Sequence, residues 1–359
     1  MRRILLALVL LAVLTLPARA AEVPADLQAA LPREAEDLLR GESFSDAGDL
    51  AGGLRHIGAR LRRDAGNVLR QRLRGAVLIL LVVLLCGAAG GLADGTESRP
   101  AGTWLNMAGA LSITMLAAGS LDYLIGLGAQ TMDSLRDFSS VLLPTLAAAV
   151  AAGGALATAS VQQVTTVFFV DLLLRVIDGL LMPLVYLYIG ALTAAAMLPD
   201  GRMAGAAGAL KKVIEWSLSA LLIAFTVYLS AVHVISGSAD GAAVKVAKAA
   251  ISGAVPVVGS ILAEASETVL AGAGFLKSTI GVFGTLAVLA ICAWPFLQLA
   301  MQYLLYKLTA FLALSAGETG LCRLIDGLGG AFGLVLGMTG GCALLLLISV
   351  LSSVAAVVP

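Results

Sequence analysis

Long apolar runs recur along the chain at about 75–93, 104–130, 141–159, 164–198, 213–236, 278–316 and 331–355. A helix needs roughly 20 mostly apolar residues to cross the hydrocarbon of a bilayer, and only structures that satisfy every backbone group internally survive there. The pattern therefore predicts an all-α, polytopic integral membrane protein. Composition agrees: 59% of the 359 residues are hydrophobic and 13% are charged, against roughly 25% charged in soluble domains. The run 278–316 has room for two helices, with Pro295 and Lys307 as candidate interruptions, and 164–198 is over-long with charge in its first half. The expectation is about six to eight spanning helices with one or two re-entrant or interfacial pieces. Orientation stays open, because Arg99, Arg136, Arg202, Lys211, Lys212, Lys245 and Lys248 fall on both sides of any alternating scheme.

The N-terminus reads differently. Arg2 and Arg3 precede an apolar stretch from Ile4 to Leu16, then Pro17 and Ala18-Arg19-Ala20. This predicts a signal peptide over residues 1–20, since the stretch is short for an uncleaved anchor and small residues stand where signal peptidase cuts. Residues 21–74 form a polar segment that becomes rich in arginine: Glu34, Glu36 and Asp37 lie in its acidic part, and Arg55, Arg60, Arg62, Arg63, Arg70, Arg72 and Arg74 come after them. Such a cluster normally stays cytoplasmic, whereas a cleaved signal would place it outside. Two readings stand: a helix lying on the outer headgroups through Leu54, Ile57, Leu61, Val68 and Leu73, or a first hydrophobic segment that leaves the arginine cluster untranslocated. The polytopic domain then covers 75–359, with a central amphipathic or re-entrant segment at 237–277.

Several function classes are excluded on the residues. Lys+Arg 23 against Asp+Glu 23 gives zero net charge, so no global field recruits nucleic acid. Cys86, Cys292, Cys322 and Cys342 form no Cys-x-x-Cys pair and read as small hydrophobes. Gly272-Ala273-Gly274-Phe275-Leu276-Lys277-Ser278-Thr279 lacks the glycine that a phosphate loop needs before its lysine. Only His56 and His233 are available as histidine bases. No catalytic, cofactor or metal constellation emerges, and no enzyme is expected.

Breaks in the apolar background mark the candidate sites. Asp171, Arg175 and Asp178 share one helical face, which lets Arg175 bridge two carboxylates. They form either a polar seam facing a conduit or partner helix, or the interfacial turn before a span that starts near Gly179. Gly329, Gly333, Gly337 and Gly341 make a stripe without side chains along which backbones approach closely, within the molecule or between subunits. In the central segment, Glu264 and Glu267 lie one turn apart, either lining a pathway or standing as solvated loop residues. An echo of Pro183 with Leu192-Thr193-Ala194 in Pro295 with Leu308-Thr309-Ala310 is no more than chance supplies in an apolar background.

The arginine-rich segment, the small-residue-rich body, and the run Asp240-Gly241, Lys245, Ala247-Lys248, Pro256-Val257-Val258-Gly259, Glu264, Glu267-Thr268-Val269 and Lys277 together resemble the stage III sporulation protein AE family from about residue 55 onward. The resemblance implies a membrane subunit, without catalytic residues, of a secretion-like channel complex joining mother cell to engulfed forespore. It also implies other stage III A proteins as partners, among them a secretion-type ATPase and ring-forming subunits, together with the forespore channel protein Q. The location implied is the mother-cell membrane around the forespore. The rival reading is a secondary transporter for a small solute or ion with Asp171, Arg175, Asp178, Glu264 or Glu267 at a midplane site.

Overall fold

In the computed structural model, described over residues 23–40, 47–93, 99–152, 156–198, 202–254, 259–315 and 319–355, the chain is helical and, among these residues, without a strand. Side chains are described for these positions except 47–49, 92–93, 99–103, 156–159, 162, 230, 232–254, 259–277, 319 and 355. The expected signal peptide falls outside the described residues.

Two short helices, α1 (Ala25–Ala29) and α2 (Arg33–Leu39), open the fold. Each starts after a proline, Pro24 and Pro32, whose fixed φ suits a first turn. Leu27, Ala35 and Leu39 bury them against the bundle. Then come α3 (Ala47–Ala93), α4 (Arg99–Ala152), α5 (Leu156–Val176), a π turn (Ile177–Leu181), α6 (Met182–Met197), α7 (Arg202–Ala254), α8 (Gly259–Leu314) and α9 (Thr319–Ala355). Among the described residues five helices are long and apolar enough to cross a membrane: Leu50–Gly91, Trp104–Ala152, Arg202–Leu229, Ser278–Leu314 and Gly320–Val354. The chain is a multi-pass membrane protein.

Contacts give the direction of each helix. Gly329 meets Tyr306, Gly333 meets Tyr303 and Gly340 meets Phe296, so α8 and α9 are antiparallel. Gly109 against Leu321 and Gly128 against Val335 set α4 parallel to α9, and Leu218 of α7 against Gly337 and Gly341, with Lys211 near Gly330, does the same for α7. Because α4 and α7 both start at the same end, α5, the π turn and α6 must carry the chain back between them. This return is a broken helix, and the reason is local. Pro183 has no N–H to donate to the carbonyl four residues back and its ring crowds that turn; a widened turn just before it relieves both.

Two expected breaks are absent. The run 104–130 and residues 141–152 of the next run lie on the single helix α4, and Pro295 sits inside α8 as Pro144 sits inside α4. Neighbouring helices supply packing that lets a proline remain within a membrane helix. The arginine-rich segment is likewise continuous with the first apolar run on α3. Its buried stripe, Ile57, Val68, Ala76, Ile79, Val83 and Cys86, passes through both halves at helical spacing. Gly53 lies against Leu286, so the arginine-rich half packs along α8. At about 1.5 Å per residue, the 47, 54, 53 and 56 residues of α3, α4, α7 and α8 reach about 70–85 Å. This exceeds a hydrocarbon core of roughly 30 Å even when tilted, so part of the bundle projects beyond the bilayer.

Candidate functional site

The broken return helix carries the charge. Asp171 near the end of α5 receives two arginines: Arg136 Nη2 of α4 at 3.0 Å on Oδ1 and Arg175 Nε, one turn on, at 2.7 Å on Oδ2. Asp171 is one-third exposed, Arg136 about half, and the Arg175 side chain 77%. Asp178 stands in the π turn, exposed, with the charges of Asp133 and Arg136 as its neighbours. The carboxylate, not Arg175, is thus the hub: among the described contacts Arg175 pairs with Asp171. Helical spacing places Asp171 and Arg175 on one face but gives no sign of Arg136, which sits 35 residues earlier. A carboxylate held by guanidinium groups of α4 and α5 fixes α5 against α4. The side chains of Glu264 and Glu267 lie outside the described residues.

The glycine stripe divides between two neighbours. Gly329 and Gly333 face Tyr306 and Tyr303 of α8, where an added Cβ would lie 3.0 Å and 3.2 Å from the nearest atom; Gly341 faces Leu218 of α7 at 3.1 Å. Gly337 is looser, with Leu218 at 3.7 Å, no closer than Gly340 to Phe296. Tighter approaches fall on glycines outside the stripe, notably Gly128 against Val335 and Gly281 against Val354. Within the chain, then, the stripe serves the contacts of α9 with both α8 and α7.

A second polar junction joins α3, α4 and α8. Arg72 occupies the buried stripe of α3 between Val68 and Ala76, while Arg55, Arg60, Arg62, Arg63, Arg70 and Arg74 lie off it. Its Nη2 donates to Gln298 Oε1 at 2.7 Å, and its guanidinium lies 5.1 Å from the centre of the Tyr123 ring. One turn along α8, Gln302 is 5% exposed and reaches the Tyr306 hydroxyl, as does Ser120 of α4. Arg72 Nε and Gln302 Oε1 are buried and have no hydrogen-bond partner among the described residues. The apolar period of α3 is the signal that singles out Arg72 from the other arginines.

Hydroxyl groups also bond between helices. Thr166 and Ser349 meet at 2.6 Å, Thr114 and Thr193 at 3.2 Å, and Tyr188 donates to the Gly327 carbonyl at 3.0 Å. Among the described residues, no group of three or more His, Cys, Asp or Glu is placed to hold a metal ion. Ionic and hydrogen-bonded joints thus tie neighbouring helices together.

This bundle has known relatives. The family model for stage III sporulation protein AE matches residues 45–357, which is the body from α3 to α9. Among curated proteins, stage III sporulation protein AE of Bacillus subtilis (strain 168) is 25% identical over 201 residues. That match covers 55% of this chain and 50% of the relative, so the chain spans about half the length of the curated relative it matches. No solved structure matches.

Proposed function

Because the chain belongs to the stage III sporulation protein AE family, we propose that it is a non-enzymatic membrane subunit of the secretion-like complex that joins mother cell and forespore, required for late forespore development. The observation that carries this reading is the extent of the family match, which takes in every long helix of the bundle. The interhelical joints suit a structural subunit: the Arg136–Asp171–Arg175 cluster and the Arg72–Gln298 bond tie helices together. The proposed partners are other stage III A proteins and the forespore channel protein Q, and the proposed location is the mother-cell membrane around the forespore. Helices reaching well past the bilayer would offer such partners a surface on the projecting end of the bundle.

Deletion of the gene in its host tests the reading. Vegetative growth should be normal, and sporulation should stop after engulfment with late forespore gene expression lost. Normal sporulation of the deletion strain would overturn the proposal. The deletion also separates the secondary-transporter reading, which predicts a growth or uptake defect in vegetative cells supplied with the protein's solute.

A further inference from the structure

A cavity of about 540 Å³ opens where α6 and α8 end and α7 and α9 begin. Its charged wall holds Lys211 of α7, Lys307 of α8 and Arg323 of α9, with Asp326 as the lining carboxylate. Lys307 is committed to Asp326, Nζ to Oδ1 at 2.6 Å. Lys211 is not comparably committed: its nearest carboxylate, Glu215, lies 3.7 Å away, beyond hydrogen-bond range, and its side chain is 39% exposed. The cavity's apolar wall holds Leu192, Phe311 and Leu314. Phe311 and Leu314 are 69% and 54% exposed, beside Leu308 and Leu312 at 54% and 42%. Small residues make the room; Gly208 lines the cavity and a Cβ there would meet nothing within 4 Å.

The depth of these groups matters. Lys211, Lys307 and Asp326 each lie about two helical turns inside the nearby helix end, where long basic side chains reach toward headgroups while their stems stay in apolar surroundings. A free phosphate would use the cations and leave the apolar wall idle. An amphiphile uses both. We propose that this cavity binds an anionic phospholipid, its phosphate against Lys211 and Arg323 and its acyl chains over Phe311 and Leu314. Basic pockets between membrane helices hold anionic headgroups by this combination. The inference is independent of the role proposed in sporulation.

Native mass spectrometry of the full chain, released from nanodiscs of equal dioleoyl phosphatidylglycerol and dioleoyl phosphatidylcholine, tests it. The expected result is retention of phosphatidylglycerol over phosphatidylcholine. Each basic residue near a headgroup contributes roughly fivefold, so the Lys211→Gln, Arg323→Gln double variant should lower that preference by roughly 25-fold. Gly208→Phe fills the cavity without altering charge, its Cβ meeting no protein atom, and should lower retention of phosphatidylglycerol while the monomer peak and helical content stay as in the parent. Wild-type preference in the double variant, or wild-type retention of phosphatidylglycerol in Gly208→Phe, would overturn the proposal. Glycerol 1-phosphate, a soluble headgroup without chains, should fail to displace the lipid; displacement at millimolar concentration would assign the site to a free phosphate ester and overturn the lipid reading.

Discussion

The α8–α9 hairpin and the outer helices α3 and α7 are both apolar enough to cross a membrane, yet they sit in different surroundings. The most apolar stretches of α8 and α9 are 72% and 61% buried within the protein, against 22% for α3 and 17% for α7. On α3, Val77, Leu78, Leu81, Leu84 and Leu85 face outward, and on α7 so do Trp216, Ile223 and Val227. What separates the two classes is therefore side-chain size and polarity rather than apolarity. The inner helices use Gly281, Gly284, Gly329 and Gly333 for close approach, and Thr285, Gln298, Gln302, Thr309, Thr339 and Ser349 are buried among them. Lipid is as apolar as leucine, so only packing and hydrogen bonding distinguish an inner position from an outer one.

Substitutions can break or sharpen that contrast. Phe332→Ala removes a fully buried ring packed edge-on 5.2 Å from Tyr306, and should cost about 3–5 kcal/mol, mostly as lost packing; Leu81→Ala on the outer face of α3 should change stability by less than about 0.5 kcal/mol. Thermal unfolding in detergent, at matched protein load, reads both. Gly128→Leu, whose first added atom collides with Val335, should cost about 3 kcal/mol and reduce membrane abundance. Arg72→Leu strands Gln298 inside the bundle and should cost about 1–3 kcal/mol, while Arg70→Leu on the exposed face of the same helix should be close to neutral. Equal effects of the two arginine variants would remove the distinction between the stripe of α3 and its solvent face.

The smallest change concerns the ionic cluster. Arg175→Leu leaves Asp171 still paired with Arg136, so it should cost no more than about 1 kcal/mol, whereas Asp171→Leu leaves two arginines without their shared partner and should cost more. A forespore reporter scored at equal protein abundance, with both variants side by side, extends this comparison to function. A larger loss for Arg175→Leu than for Asp171→Leu would show that Arg175 has a task beyond holding Asp171.

Much of the architecture is legible in the residues alone, because apolar runs of spanning length force helices and leave little else. The helix limits are not. Arg136, between the runs 104–130 and 141–159, reads as a connecting charge, but it lies within α4 and faces Asp171. A charge inside a helix and a charge in a loop look alike until the partner across the interface is known. Pro295 shows the same limit from the other side, since a helix-breaking residue stays helical when neighbours pack around it. The glycine spacing points to close packing but not to its partners, which are α8 for Gly329 and Gly333 and α7 for Gly341. Arg72 is hidden in a crowd of arginines, and only its register with Ile57, Val68, Ala76 and Ile79 separates it.

Photolabelling of the unmodified chain from a diazirine-bearing phospholipid tests the inner and outer assignment directly. With labelled positions mapped by mass spectrometry, adducts should fall on the outward residues Leu81, Leu84 and Leu85 of α3, Met115 of α4, and Trp216, Ile223 and Val227 of α7. Leu286, Phe332 and Val335, each fully buried on the hairpin, should stay unlabelled. Labelling of those three at the level of the α3 and α7 positions would contradict a bundle built around α8 and α9.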